Sequence, residues 1–232
     1  MISNKKVLLF GDSFADKNSV GEYVGWPGLL ESYYKVTNFA VSGSSPDHQL
    51  KLMLDFIENT DSHSFKDTVV IFLISSPNRF VFNFYKNPSD HHLSIHLAYY
   101  ESADLSYHDE LSPYLKYKKF VEDFYKYYAL NDEFQLTHVL KILGMLNLYS
   151  TLFDKVLVWP IFENLPYKLP TMSDKMTFVS TPLFNIEGNP YCNDDKRPNH
   201  LIKENHHIMV SQLIEWIETN RSIDLDQFKW TK

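Results

Sequence analysis

Val7-Leu8-Leu9-Phe10-Gly11-Asp12-Ser13-Phe14-Ala15-Asp16 opens on an apolar run and turns polar at Asp12. Residues 7–10 predict a strand buried on both faces, because a strand with one wet face alternates apolar and polar side chains. Gly11 permits a tight turn where a Cβ would clash. Ser13 then stands just past the carboxyl end of a buried strand, which is where open α/β sheets hold their ligands. The arrangement has the logic of a strand-to-turn nucleophile such as G-x-S-x-G, without the second glycine. A ligand- or phosphate-binding turn, or a plain loop, shares the same local pattern. Asp12 is expected to bond its own loop and Asp16 to cap a helix.

Outward from this stretch, the chain has 232 residues, enough for one α/β domain with a sizeable insertion. A formal net charge of −7 opposes non-specific attraction to nucleic acid or anionic membranes. No apolar run nears the ~20 residues of a bilayer span. The apolar run after Lys5 and Lys6 is too short for a signal-peptide core. Cys192 is the single cysteine, so no disulfide can form within the chain. These features predict residence in the cytoplasm, or release without a classical signal peptide, by lysis or within a virion. The 15 tyrosines and 17 phenylalanines are expected mostly in the core and in the wall of a cleft. Nothing in the pattern sets an oligomeric state.

Trp26-Pro27 predicts a helix through Leu30, since the fixed φ of proline suits a first turn. Residues 36–41 read as a second short strand, interrupted at Asn38 and closing in Ser42-Gly43-Ser44-Ser45-Pro46-Asp47. Ser45 or Asp47 can cap a helix over residues 48–58, with Leu50, Leu54 and Ile57 as its apolar positions. Gly43 either presents its N–H to a ligand or only serves the turn. Residues 69–74 form the clearest buried strand and end in Ser75-Ser76-Pro77-Asn78-Arg79.

Residues 80–153 are too long for an ordinary crossover and predict a mostly helical insertion within a single domain spanning 1–232. Helices are expected over 113–130 and 132–153, the second capped by Asn131 or Asp132 and striped by Phe134, Val139, Leu143, Leu146 and Leu152. The insertion would serve as a lid, a cleft wall or a dimer surface. His91, His92 and His96 invite a metal, but no His/Cys frame at ligand spacing recurs, so neither metal nor cofactor is expected. Residues 155–160 predict a fourth strand, ended by Pro160. A proline-rich loop then carries a short strand near 177–180. After Asp194-Asp195 and His200, an amphipathic helix runs to about Thr219, and the tail beyond Arg221 is expected on the surface.

Four blocks acquire a joint meaning. Gly11-Asp12-Ser13, Trp26-Pro27, Asn38-Phe39-Ala40-Val41-Ser42-Gly43 and His200-Leu201-Ile202-Lys203-Glu204-Asn205-His206 resemble blocks of the SGNH hydrolases, also called GDSL esterases and lipases. The resemblance covers the two ends of the chain and leaves the insertion outside. It implies a flavodoxin-like parallel sheet in a three-layer α/β/α sandwich. It also implies Ser13 as nucleophile, His200 as base, and an oxyanion hole built from the N–H groups of Ser13 and Gly43. The chain departs from the family pattern in its third block, Gly-x-Asn-Asp, where it has no glycine and Asn78 falls a residue or two late. Either Asn78 takes the oxyanion role, or Arg79 does, or that donor is missing. The family aspartate three residues before the histidine is replaced by Arg197. Asp195 lies five residues before His200 and Asp194 six, with Asp195 nearer the family spacing. Asn205 stands where the family has glycine.

The implied chemistry follows from residue types. A serine hydroxyl is a weak nucleophile and needs an adjacent base. His200 would take its proton and return it to the leaving group, and Asp195 would hold the imidazole tautomer. The expected activity is metal-independent hydrolysis of carboxylic esters through an acyl-enzyme, on small esters or acylated glycans such as O-acetyl sugars. A catalytically weak or inactive binding module of the same fold is the alternative, supported by the altered third block and the displaced aspartate. A nucleotide-binding reading lacks a glycine-rich phosphate cradle.

Overall fold

The computed structural model describes residues 3–15, 24–61, 65–77, 79–82, 93–95, 118–129, 131–161, 171–186 and 201–229. In chain order its strands are β1 (Lys6–Phe10), β2 (Lys35–Asn38), β3 (Thr68–Ile74), β4 (Phe80–Phe82), β5 (Leu93–Ile95), β6 (Lys155–Pro160) and β7 (Met176–Phe178). Its α-helices are α1 (Trp26–Leu30), α2 (Pro46–Glu58), α3 (Lys118–Phe124), α4 (Asp132–Ser150) and α5 (Lys203–Thr219). Five strands form one parallel sheet in the order β2-β1-β3-β6-β7.

Both faces of this sheet are covered, which is why β1 and β3 are continuously apolar. Successive side chains of a strand point to opposite faces. Val7 and Leu9 join a core with Trp26 and Leu30 of α1 and Leu213 and Trp216 of α5. Leu8 and Phe10 join another with Leu50 and Met53 of α2 and Leu143 and Leu146 of α4. The expected three-layer α/β/α sandwich is the observed architecture.

Local chemistry moves several boundaries. β2 stops at Asn38 instead of reaching residue 41. The Asn38 side chain accepts from the Ala40 N–H at 2.9 Å and donates to the Ala15 carbonyl at 2.8 Å, while the N–H groups of Phe39 and Val41 still donate to the carbonyls of Leu9 and Gly11. Ser45, not Asp47, caps α2, its hydroxyl accepting from the His48 N–H at 3.2 Å. That leaves Asp47 free to reach α4.

Within residues 80–153 the described part is not all helical. β4 and β5 pair antiparallel. α3 runs into a single π turn, Tyr125–Ala129. Asn131 caps α4, accepting from the N–H groups of Glu133 and Phe134. α4 packs Val139, Ile142, Leu143 and Leu146 onto the sheet, so it is the helix that covers the crossing from β3 to β6. It ends at Ser150; Phe134 and Leu152, counted in the expected stripe, are exposed.

α5 ends at Asn220, whose φ of 62° closes the helix in the left-handed region. The tail beyond Arg221 is anchored to the body. Phe228 is buried edge-on to Trp159 at 6.2 Å. Asn205 donates to the carbonyls of Ile186 and Lys229 and accepts from the Lys229 N–H. Among the described residues, no helix is long and apolar enough to cross a membrane.

Candidate active site

From β1 the chain crosses to β2 on one side, then returns to place β3 on the other side of β1. Connections leave in opposite directions at such a switch point and open a crevice at the carboxyl ends of the strands. Ser13 follows β1, Gly43 follows β2, and Ser75 to Arg79 follow β3, so all three polar turns lie at that end of the sheet.

The turn bearing Ser13 is held from several sides. A Cβ on Gly11 would lie 3.0 Å from Cβ of Ala15 and 3.2 Å from Cβ of Leu73, so close packing demands glycine there. The Ala15 N–H donates to the Asp12 carbonyl at 2.9 Å and closes the turn. Oδ1 of Asp12 accepts from the Phe14 N–H at 3.1 Å, the expected bond within its own loop. Ser13 itself is half-buried, between the buried Asp12 and Phe14.

A buried polar layer lies under this turn. The Asp12 carboxylate is fully buried, and its Oδ2 accepts from Ser75 Oγ at 3.1 Å and from Arg79 Nη1 at 2.6 Å. The same Nη1 donates to Ser75 Oγ at 3.0 Å. Ser44 Oγ donates to the Gly11 carbonyl at 2.9 Å and accepts from Gln49 Nε2 at 3.1 Å. Gln49 Oε1 accepts from the Ser75 N–H at 3.4 Å. Ser44, Gln49 and Ser75 escaped the reading of the sequence. Their only local signal is a glutamine on the buried side of α2, beside Leu50 and Met53.

Gly43 has φ of 76°, in the left-handed region that favours glycine. A Cβ there would meet nothing within 4 Å, so conformation and not crowding selects the residue. Arg79, one alternative for the oxyanion role, directs Nη1 to Asp12 and Ser75. Asn78, Asp194, Asp195 and His200 lie outside the described residues, as do His91, His92, His96, Asp16 and Cys192. The chain that follows His200 is described. Leu201 is buried in the same core as Phe14 and Ala15. His206 Nδ1 accepts from the Trp26 N–H at 3.0 Å, and Trp26 Nε1 donates to the Phe14 carbonyl at 2.8 Å. The start of α5 is thereby tied to the residue next to Ser13.

A second constellation lies on the other side of the β3 turn. Nε2 of the buried His138 is 2.8 Å from Asp47 Oδ2, and its Nδ1 is 3.3 Å from the Pro77 carbonyl. Lys141 Nζ donates to Asp47 Oδ1 at 3.2 Å, and Phe80 stacks on the imidazole at 5.0 Å. Burial acts to raise the Asp47 carboxyl, but the hydrogen bonds and charges of His138 and Lys141 together hold it below its ordinary range. An aspartate–histidine pair looks like part of a catalytic relay. Here the far nitrogen faces a carbonyl and not a hydroxyl, so the pair clamps α2, α4 and the β3 turn together. Tyr125, in the π turn, is fully buried; burial pushes its phenol above its usual range, with the Arg79 charge acting against that shift. Among the described residues, no group of three or more side chains could hold a metal ion.

No protein-family model matches the chain. No curated protein matches it. Among solved structures it is similar to the acetylxylan esterase Axe2 from Geobacillus stearothermophilus, at 14% identity over 93% of this chain and 74% of that one, with a TM-score of 0.34. A catalytic mutant of the same esterase gives 13% identity, coverage of 96% and 76%, and a TM-score of 0.37. YxiM from Bacillus subtilis gives 12% identity, coverage of 68% and 33%, and a TM-score of 0.32. At such scores these likenesses assign neither a family nor a residue role to this chain.

Proposed function

We propose that this protein is a carboxylic-ester hydrolase acting through an acyl-serine intermediate. The observation that carries the reading is the half-buried Ser13 on a turn locked at the switch point of a parallel sheet, joined through Phe14, Trp26 and His206 to the helix that follows His200. In this reading Ser13 Oγ attacks the ester carbonyl while His200 takes its proton. Asp195 orients the imidazole and stabilises its charged form. The N–H groups of Ser13 and Gly43, with the Asn78 side chain, receive the negative charge that develops on the carbonyl oxygen. Each such donor is worth about 10²–10³ in rate. Collapse of the tetrahedral intermediate expels the alcohol, which receives the proton from His200. Water, deprotonated by the same histidine, then releases the acid and regenerates Ser13. The substrate class is a small acyl ester such as an O-acetyl group on a glycan.

The test is covalent labelling. A fluorophosphonate probe should add a single label, read by intact mass, and Ser13→Ala should abolish both the label and turnover of p-nitrophenyl acetate. A label that survives Ser13→Ala rejects the assignment. A folded protein that neither labels nor turns over ester is the binding module of the same fold.

A further inference from the structure

We infer that Arg79 is a positioning residue for Ser13, acting through the carboxylate of Asp12. Its catalytic meaning rests on the hydrolase reading above; the coupling itself rests on geometry alone. Asp12 is fully buried, and a buried carboxylate needs a partner for its charge and for both its oxygens. The two oxygens do different work. Oδ1 accepts from the N–H of Phe14, the residue after Ser13. Oδ2 faces the end of β3, where Arg79 Nη1 and Ser75 Oγ converge on it at 2.6 and 3.1 Å. A carboxylate is planar and rigid, so fixing Oδ2 fixes the direction of Oδ1 and with it the Phe14 amide. The Phe14 carbonyl is held independently by Trp26 Nε1. With both ends of Phe14 fixed, the peptide joining it to Ser13 has one orientation.

Arginine suits this task because it stays charged at every accessible pH. Its planar guanidinium lets one nitrogen, Nη1, reach Asp12 Oδ2 and Ser75 Oγ together. Through Nη1, Arg79 is thus a structural counter-charge to the turn.

The experiment uses the full chain and two readouts, one of which is independent of catalysis. Hydrogen exchange of the peptide covering residues 10–15 should quicken by about tenfold in Arg79→Gln, while exchange in β3 stays as in the parent protein. Fluorophosphonate labelling of Ser13 should slow by about 10²-fold, the loss expected from a misplaced nucleophile, with KM for p-nitrophenyl acetate nearly unchanged. Lys141→Ala removes a cation from the neighbouring clamp and should move neither readout. Methylguanidinium should restore labelling to Arg79→Ala but not to Asp12→Asn. Parent-like exchange and labelling in a folded Arg79→Gln overturns the proposal. An unlabelled parent protein whose residues 10–15 still loosen in Arg79→Gln rejects the hydrolase reading and leaves the coupling standing. Should Arg79→Gln fail to fold, Ser75→Ala removes a single donor to the same Oδ2. It should shift exchange of residues 10–15 in the same direction by a smaller factor, and no shift there overturns the proposal.

Discussion

The Trp26 N–H donates to Nδ1 of His206 at 3.0 Å, across 180 residues of sequence. α1 is short, and Gly25 at its N-cap has no side chain to offer, so a histidine of α5 caps it from outside. The Trp26 indole continues the connection to the Phe14 carbonyl.

His206→Ala should therefore weaken the fold and the candidate site together. It leaves the Trp26 N–H buried without its acceptor, a loss of about 1–3 kcal/mol. Urea unfolding should show a lower midpoint with an unchanged slope. Labelling of Ser13 should slow even under conditions where the variant is fully folded. A variant that is destabilised but labels at the parent rate would show that the connection serves stability only.

Asp195→Asn and Asp194→Asn should differ sharply in the hydrolase reading. Replacing a triad aspartate with its amide lowers turnover by roughly 10⁴, because the imidazole is held in the wrong tautomer. Neighbouring residues of an extended loop point to opposite sides, so one aspartate at most faces His200 easily. Asp195→Asn should be nearly inactive and Asp194→Asn close to the parent, measured as kcat on p-nitrophenyl acetate. Equal, mild effects would favour the binding-module alternative.

Gly43→Ala isolates a backbone effect. No atom lies within 4 Å of the added methyl group, so any loss comes from forcing alanine to a φ of 76°. That conformation costs a residue with a Cβ about 1–2 kcal/mol. Chemical denaturation should register a loss of that size. If the Gly43 N–H also faces the oxyanion, turnover should fall by more than stability predicts, by up to about 10².

The Asp47 clamp makes stability depend on acid. Its carboxyl titrates below the ordinary value in the folded protein, so the unfolded chain binds that proton more readily. The clamp therefore contributes fully above the unfolded value, about 3.9, and its contribution is lost as pH falls through the depressed folded value. Asp47→Asn should destabilise the protein at neutral pH, and the gap to the parent should narrow in acid below that range. Urea midpoints measured across pH 2–7 test this, and a gap independent of pH would contradict it.

Asn205→Gly should release the tail. Three hydrogen bonds from one buried side chain join α5 to the Ile186 carbonyl and to both backbone groups of Lys229. Their loss should destabilise the protein by about 2–3 kcal/mol. Limited proteolysis should cut beyond Arg221 in the variant and spare the parent. Equal resistance would mean that Phe228 packing against Trp159 alone suffices to hold the tail.

Local pattern was sufficient for the frame of this molecule. The apolar runs at 7–10, 69–74 and 155–160 each became a buried strand, because continuous burial on two faces leaves an unbroken apolar record in the chain. Pro27, Ser45 and Asn131 marked helix starts, since capping is chemistry between near neighbours. The same logic limits what was legible within 80–153. β5 is too short for an alternation to register. The helix 132–150 read as part of an insertion, because no local pattern tells which partner an apolar stripe meets.

The candidate site divides along the same line. The turn at Gly11 and Ser13 and the one at Gly43 were legible as turns, because a strand end and a glycine are written into adjacent residues. The partners of Asp12 were not. Ser75 and Arg79 lie 63 and 67 residues away in sequence, and Gln49 reaches the β3 turn from another helix. His138 on Asp47 spans 91 residues. A hydrogen bond is decided by distance and angle between two groups, and for groups so far apart only the closed sheet and its packed helices set either. The sequence alone marked the turn that follows β1, and the tertiary structure decided which buried side chains meet Asp12 beneath it.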